Sequence, residues 1–273
     1  FGEMAEPTIQ RAQVVGNSAS WAGGLYLYGT WGNMEGVLLS GNVASEAGGG
    51  AVLYYYSSPT LTNISVVDNA AGTHGGGLWL GWMTSPKLTN VEIVGNTAGE
   101  DGGGGDLVEK DRLACEPELL SVGSAGNEAG GDGGALALVG DVSPTLENVV
   151  LVANAAVGQG GGIRDFDEYE GAVSVACTNV WGNSPQDFSG MNSPVGQDGN
   201  VSVDPYFVDV GDPDPSLWDL HLHTWSPLVD VGSLSVQDPD GSPSDMGIYG
   251  GPEADAWDRD RDGYEEWWLP GPY

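Results

Sequence analysis

The residues whose spacing best suits chemistry lie near the C-terminus, where aspartates alternate with arginines in the run DRDRDG at 258–263. Carboxylates at positions 1, 3 and 5 of a loop, with glycine at position 6, allow the chain to wrap around a hard cation such as Ca²⁺. Leu269 stands at position 12, where a complete helix-loop-helix calcium site has a glutamate, so the pattern predicts a simpler calcium loop. A solvated acidic tail is the alternative. The predicted ligands are Asp258, Asp260, Asp262, the backbone of Tyr264, and Glu265 or Glu266.

A second acidic stretch has a related but shorter pattern. Asp238 and Asp240 are separated by one residue and precede Gly241, and Asp245 follows soon after the glycine. Three carboxylates around a tight turn supply the oxygen ligands that calcium prefers. The stretch therefore predicts a second calcium site, with a solvated acidic turn as the alternative.

A third set of charged residues has the composition of a polysaccharide-processing site. Abstraction of a proton next to a carboxylate needs a base and a positive charge that stabilises the enolate, and glycoside hydrolysis needs two facing carboxylates. Asp165 and Asp167 alternate along one segment and would share a face. A solvated acidic turn with its counter-charges explains the same residues, so we assign none of them a catalytic role. The set comprises the cations Lys110, Arg112 and Arg164 and the carboxylates Asp106, Asp165, Asp167 and Glu168.

All these residues stand on, or follow, a sequence repeat. The stretch SPTLTNISVVDNAAGTHGGGLWL at 58–80 returns in related form from Ser85 and from Ser143. Each copy has an asparagine at the same point, and a period of 25 to 31 residues between these asparagines is typical of repeat architectures. The asparagines are Asn17, Asn42, Asn69, Asn96, Asn127, Asn154 and Asn183.

Apolar residues occupy fixed positions relative to this asparagine. Leu61 and Leu88 stand eight residues before it, and Ile64 and Val91 stand five before it; the position three before it is aliphatic except at Ser124. Side chains two apart on a strand share a face, and no helical period is present. Because one such copy cannot bury its own apolar face, the copies must stack on one another. The sequence therefore predicts an all-β, single-domain parallel β-helix, or solenoid, of about seven coils.

The regular pattern ends after the seventh asparagine. We predict β-helix coils in 1–183, an irregular C-terminal capping region in 184–252, and an acidic, tryptophan-rich tail in 253–273. Cys115 and Cys177 fall at different positions of the coil, so we expect no disulfide between them. The first coil has no recognisable cap of its own, although solenoids normally protect their ends.

The composition is strongly acidic. Lys plus Arg number 7 and Asp plus Glu number 39, which gives a net charge of −32. Such a surface repels nucleic acid and anionic lipid, so neither is an expected partner. No run of 18 apolar residues is present, and we expect no insertion into a membrane. The acidity favours a saline or calcium-rich medium that screens the charge.

Three sets of sequence strings carry a family resemblance: SPTLTNISVVDN at 58–69, NVWGNSP at 179–185, and the closing segments DPYFVD, SPLVDVG and DPDGSPSDMGIYGGP between 204 and 252. With them the chain resembles the right-handed parallel β-helix repeat proteins of exported bacterial type, which belong with the pectate-lyase-like folds. The resemblance covers nearly the whole chain and implies a right-handed solenoid with an extracellular or cell-surface location. It implies no activity, because that label names a fold and no lyase or polygalacturonase motif stands in the sequence.

We therefore expect a secreted or cell-surface structural or adhesive solenoid, stabilised by Ca²⁺, rather than an enzyme. An uncapped first coil and an aromatic tail favour head-to-tail contacts that build an extracellular fibre. One alternative is a carbohydrate-active enzyme, either a polysaccharide lyase or a hydrolase. Another is a glycan-binding surface protein that uses Trp79, Trp82 and the tyrosines at 54–56. The expected partners are further copies of the chain or a cell-surface glycan.

Overall fold

The fold is known from a computed structural model, which describes residues 5–109, 115–166, 173–252 and 254. Within these residues the chain forms an all-β parallel solenoid, as the repeat predicts. The first five coils each contribute one strand to each of three parallel sheets, because three bends divide the repeat into one long and two shorter extended segments.

The long-strand sheet contains the strands that precede each asparagine. Five of its levels have one eight-residue strand, and the last two levels have two short strands each. Its strands are β1 (Thr8–Val15), β4 (Asn33–Ser40), β7 (Thr60–Val67), β10 (Lys87–Val94), β13 (Glu118–Ala125), β16 (Thr145–Glu147), β17 (Val150–Val152), β20 (Ser174–Ala176) and β21 (Asn179–Trp181).

The two other sheets follow the asparagine along each coil. The short-strand sheet consists of β2 (Ser18–Ala19), β5 (Val43–Ala44), β8 (Ala70–Ala71), β11 (Thr97–Ala98), β14 (Glu128–Ala129) and β18 (Ala155–Ala156). The third sheet consists of β3 (Leu25–Tyr28), β6 (Ala51–Tyr54), β9 (Leu78–Gly81), β12 (Gly105–Glu109), β15 (Leu136–Gly140), β19 (Ile163–Asp165) and β22 (Phe188–Ser189).

The solenoid makes about six turns, slightly fewer than the seven coils that the asparagines predict. At the seventh level the short-strand sheet has no strand of its own in the described chain and is represented by a single bridge between Ala155 and Ser184. The seventh repeat is therefore only partly built, since its register is already changing into that of the C-terminal region.

The predicted apolar columns form the core. Leu61, Leu88 and Leu119 pair directly with one another on adjacent coils, and all three are buried. Leucines on the inner face of the third sheet pack against them in one continuous cluster. The exception at Ser124 has a local reason, because its hydroxyl oxygen accepts a hydrogen bond of 3.0 Å from the side chain of Asn127.

Each long strand bends at the residue six before the asparagine. This residue has a left-handed backbone, with φ between +45° and +60°, which interrupts the alternation of side chains. Residues eight and five before the asparagine, an odd number apart, therefore both face the core. The bend residues are Arg11, Gly36, Asn63, Asn90, Ser121, Asn148 and Cys177.

The repeated asparagines form a buried hydrogen-bonded ladder along the solenoid. The backbone N–H and the side-chain amide of Asn69 both donate to Oδ1 of Asn96, each at 3.0 Å. The same amide of Asn69 also donates to the carbonyl of Leu39 on the preceding coil, at 2.8 Å. Because this pattern repeats from coil to coil, each asparagine ties three neighbouring coils together without leaving a buried polar group unpaired.

The two ends of the ladder differ. Asn183 donates its backbone and side-chain N–H groups to Oδ1 of Asp187, whose carboxylate accepts hydrogen bonds and so completes the ladder. At the other end, the backbone and side-chain N–H groups of Asn17 donate to Oδ1 of Asn42, and its amide donates to the carbonyl of Val15 in its own coil, at 3.3 Å, instead of to a preceding coil. Within the described residues, no strand pairs with the outer edge of β1.

The C-terminal region first extends the solenoid and then folds back along its side. Val201 forms a bridge to Asn179 of β21 and so adds part of a further level. Residues 204–252, which we call the strap, then cross the outer face of the long-strand sheet. The strap contains an antiparallel pair, β23 (Phe207–Asp209) and β24 (Asp219–Leu222), and a 3₁₀ helix at Pro215–Leu217.

Apolar contacts hold the strap on the sheet. Leu220 and Ile248 of the strap pack against Val94 and Ala125. A second cluster joins Leu228 and Met246 of the strap to Val150 and Val152 on the next coil. The strap therefore covers the outer face of the long-strand sheet on the middle and later coils. These contacts leave the outer face of the third sheet uncovered.

Both cysteines are free thiols, with Cys115 buried and Cys177 half-buried. In the described part of the chain, no helix is long and apolar enough to cross a membrane.

The ladder generates a stability prediction. Asn96→Ala removes the acceptor for two N–H groups of Asn69 and the donor for the carbonyl of Val66, all of them buried. We expect the free energy of unfolding to fall by about 3 kcal/mol, because unpaired buried polar groups are costly. Guanidinium chloride denaturation at neutral pH measures this loss.

Asn17→Ala is the matched control, since Asn17 is exposed at the end of the ladder and the variant keeps the backbone N–H that donates to Oδ1 of Asn42, losing only the amide donor. Its loss should stay below about 1 kcal/mol. Equal losses for the two variants would contradict a ladder that depends on its interior members.

Candidate functional site

The outer face of the third sheet carries one column of side chains that changes character along the solenoid. Strict pairing places Val52 beside Trp79, Trp79 beside Asp106, Asp106 beside Ala137, and Ala137 beside Arg164. Asp106 and Arg164 therefore share a face two coils apart, as the repeat predicts. Aromatic residues dominate the first three coils of this face, and charged residues dominate the following coils.

Seven rings form a continuous cluster on the first three coils, which we call the aromatic surface. Trp79 is its buried centre, with the ring of Trp21 at 5.5 Å and that of Tyr54 at 6.0 Å. Tyr28 and Tyr55 stack at 5.3 Å with an angle of 17° between their planes. The members are Trp21, Tyr28, Tyr54, Tyr55, Tyr56, Trp79 and Trp82.

The rim of the aromatic surface is open to solvent. Trp21 is 42% exposed and Tyr56 is 46% exposed, although both touch other rings. Large aromatic side chains supply most of the energy of protein interfaces because they combine a wide apolar body with a polar tip. The surface is therefore suited to contact with another molecule.

The backbone after two strands turns these rings outward. Tyr55 and Tyr56 follow β6, Trp82 and Met83 follow β9, and all four have positive φ between +53° and +60°. A left-handed backbone is unusual for bulky residues and concentrates at binding and catalytic sites. The main chain thus adopts an unfavourable conformation at the two places where the aromatic surface is widest.

A histidine and three carboxylates lie next to the aromatic surface. His74 Nε2 is 3.3 Å from a carboxylate oxygen of Glu100, and His74 Nδ1 is 3.8 Å from one of Asp101 and 4.0 Å from one of Asp106. Asp106 is buried and pairs with Trp79 across the sheet, whereas Glu100 is exposed. This cluster adds hydrogen-bonding and negatively charged groups to one end of the aromatic surface.

Arg164, one of the cations of the charged set, is held by its neighbours. Its Nε lies 3.2 Å from the carboxylate of Asp132, and another of its nitrogens donates to the hydroxyl of Ser189 at 3.0 Å. Its guanidinium group also lies 4.5 Å from the ring centre of Phe166. These contacts make Arg164 a link between coils, and the carboxylate beside it neutralises its charge locally.

The predicted calcium residues of the strap line a cleft of about 450 Å³. Oδ1 of Asp245 accepts the backbone N–H of Asp230 at 2.8 Å, and Oδ2 of Asp238 accepts that of Asp245 at 3.2 Å. Asp240 accepts from the backbone and hydroxyl of Ser242. Burial, reinforced by the neighbouring carboxylates, raises the pKa of Asp245 to about 6. Each of these carboxylates therefore has a structural role in its turn.

In the part of the chain that the structure describes, no group of three or more His, Cys, Asp or Glu residues is arranged to hold a metal ion. Some predicted residues lie outside the described ranges: Asp258, Asp260, Asp262, Tyr264, Glu265 and Glu266 of the tail, and Lys110, Arg112, Asp167 and Glu168 of the charged set.

One half-buried carboxyl group lies between the long-strand sheet and the strap. Glu92 projects from β10 and accepts a hydrogen bond of 3.2 Å from the hydroxyl of Ser65. Burial beneath the strap raises the pKa of Glu92 to about 7; the Ser65 hydrogen bond and His221 act against this shift, and Asp219 adds to it. The contact between strap and solenoid is therefore sensitive to pH near neutrality.

In comparisons with known proteins, no family model matches the chain, and no curated protein or solved structure matches it.

Four residues of these sites are not among those predicted from the sequence: Trp21, Tyr28, His74 and Glu92. The position of His74 could have been found, because alignment on the asparagines places it in one column with Asp101 and Asp132. The contact of Trp21 with Trp79 crosses two coils and two columns, and only the folded chain shows it.

Glu92 generates a prediction about pH. Its folded pKa lies above that of an ordinary glutamate, so the native state holds the proton more tightly than the unfolded state. The contribution of protonated Glu92 to the free energy of unfolding is therefore fully present at low pH. It is lost as the pH rises from about 4.5 through about 7. We expect a loss of about 2 kcal/mol after allowance for the partial exposure of Glu92.

Glu92→Gln removes the titrating group and keeps the shape. Urea denaturation between about pH 5 and pH 8 should show a smaller loss of stability for the variant than for the natural chain. Asp245 titrates in both proteins, so the difference between them isolates Glu92. Parallel pH profiles would contradict this role.

Proposed function

We propose that the protein is a secreted or cell-surface structural and adhesive β-solenoid, in which the aromatic surface makes the adhesive contact. The observation that carries the proposal is this surface of seven rings with a solvent-exposed rim on a rigid sheet. Exposed aromatic clusters of this kind mark interaction sites, because isolated chains rarely leave such groups in water.

The rigidity of the scaffold supports an adhesive role. The rings are attached to strands whose coils are fixed by the buried asparagine ladder, so they are already ordered before a partner arrives. A preorganised surface loses little conformational entropy on binding and therefore retains more of its contact energy. A flexible loop with the same residues would bind more weakly.

The charge of the chain supports an exported location. A net charge of −32 with 7 basic residues suits a medium with abundant cations, and it keeps a long rod from associating at random. This location agrees with the resemblance to right-handed exported β-helix proteins of the pectate-lyase-like type, which is part of the proposal.

The adhesive role can be tested with protein-coated beads. Retention under flow is measured on surfaces that carry polysaccharide, protein or a lipid bilayer. We expect Trp21→Ala combined with Tyr56→Ala to reduce retention at least about tenfold on the surface that binds the natural protein, because the exposed rim is removed. The variant should keep its melting temperature within about 3 °C.

Trp225→Ala is the matched control, since Trp225 is exposed but lies on the strap, where it stacks on His223. It should leave retention unchanged. The adhesive role fails if the natural protein is retained on none of these surfaces, or if the double variant and the control behave alike.

Self-assembly is a second candidate function, and the free edge of β1 favours it. Within the described residues this eight-residue strand has a partner on one side only, and Val15 is 52% exposed. An open edge is a template for pairing with another chain. The opposite end of the solenoid is closed by Asp187 and by Val201, so a head-to-tail contact requires that this end opens.

Electron microscopy with and without a calcium chelator tests assembly. We expect calcium-dependent filaments from the natural chain, and shorter or absent filaments from Val15→Lys, which places a charge at the free edge. Monodisperse particles in all conditions would exclude assembly through this edge.

Calcium stabilisation is part of the proposed function and has a thermal test. About 1 mM Ca²⁺ should raise the melting temperature above that in chelator, because a ligand of the folded state stabilises it by mass action. Asp238→Asn with Asp245→Asn tests the strap site, and Asp258→Asn with Asp260→Asn tests the tail site. Identical melting temperatures with calcium and with chelator would refute both.

A further inference from the structure

We propose that the ligand of the aromatic surface is a neutral hexopyranose chain that lies along the solenoid axis, from the rings of the first coil towards the carboxylates beside His74. The inference rests on the adhesive role proposed above and names the class of partner. It is built on the chemistry of the rings, the shape of the surface and the sign of the surrounding charge.

The chemistry of the surface matches the two kinds of group on a pyranose ring. The axial C–H groups of a hexopyranose form an apolar patch, which stacks on the face of an aromatic ring. Its hydroxyl groups need hydrogen-bond partners at the edge of that patch. Tyr28, Tyr54, Tyr55 and Tyr56 combine a ring face with a phenolic hydroxyl, so both requirements are met by the same side chains.

The shape of the surface favours a chain over a small compact ligand. Successive coils are about 4.8 Å apart, so the distance from β3 to β12 is about 14 Å and suits a chain of about three sugar rings. Tyr28, Tyr55, Trp82 and Glu100 stand on the first four coils in order, and each side chain is at least partly exposed. A polysaccharide parallel to the axis therefore meets a new side chain at each level.

The charge near the surface selects against acidic glycans. Glu100 and Asp101 lie beside His74 at one end, and Glu46 bonds the indole of Trp21 at the other. Arg164 is the described basic residue that stands in the same column as Trp79, three coils beyond β9. It is already bound to the carboxylate of Asp132. Among the described residues of this face, a uronate or sulfated chain would meet like charge and no cation without a carboxylate partner.

The openness of the surface selects against a cationic ligand. Strong cation–π recognition needs a desolvated cage of rings, and the interaction is weak where the ring faces water. Here Trp21 and Tyr56 form an open rim, and Tyr28 is stacked on Tyr55, so that a cation finds no enclosed site. A neutral chain gains from many shallow contacts and tolerates this openness.

Isothermal titration of the intact chain tests the inference with four hexasaccharides: a β-1,4-glucan, an α-1,4-glucan, a polygalacturonate and a chitosan oligomer. We expect at least one neutral glucan to bind at least about tenfold more tightly than the polygalacturonate and the chitosan. Trp21→Ala with Tyr56→Ala should weaken that binding at least about tenfold, and Trp225→Ala should leave it unchanged.

The outcomes separate this inference from the adhesive role. Retention of beads on protein or lipid surfaces without binding of either neutral glucan overturns the inference and leaves the adhesive role intact. Tighter binding of the anionic or the cationic oligomer also overturns it. Binding of a neutral glucan that the double variant retains overturns the assignment to the aromatic surface. Absence of retention on every surface instead removes the adhesive role.

Discussion

The hydrogen bonds of the buried asparagines are the constraint on which this structure depends. Each one joins a coil to the next through a side-chain acceptor and to the preceding coil through a backbone carbonyl. Because both bonds require the asparagine to sit directly above its neighbour, they fix the register of all three sheets at once. The apolar columns then stack on one another in one continuous core. A substitution that shifts the register of the coils would therefore also disrupt the packing of the core.

The same register decides what the exterior can do. On the third sheet the register aligns one outward residue from each coil. The residue type at that position in each repeat therefore decides the chemistry of the surface at that level of the solenoid. The early coils use this face for rings, and the later coils use it for carboxylates and an arginine that is bound to its neighbours, with His74 of the third coil between the two groups. The strap covers the long-strand sheet and leaves this third face available.

Repetition made most of the fold predictable from the sequence, because seven copies reveal which positions must face inward. The columns of Leu61 and Ile64 therefore predicted the core, although not the left-handed bend at Asn63 that allows both to face it. The sequence also grouped Trp79 and Trp82 with the tyrosines at 54–56, yet the first coil is a weak copy and hid the contact of Trp21. The burial of Glu92 could not be predicted from the sequence for a different reason. Its burial depends on a strap more than a hundred residues away, and no local pattern encodes that contact.

A crystal structure of the intact chain grown with a neutral hexasaccharide tests the glycan site on the third sheet most directly. We expect sugar density along the third sheet, with pyranose rings stacked on Trp21, Tyr55 and Tyr56 and the chain parallel to the solenoid axis. The asparagine ladder should be unchanged from that described above. Sugar bound on the strap or on the long-strand sheet, or an aromatic surface that stays empty at saturating sugar, would contradict the central claim.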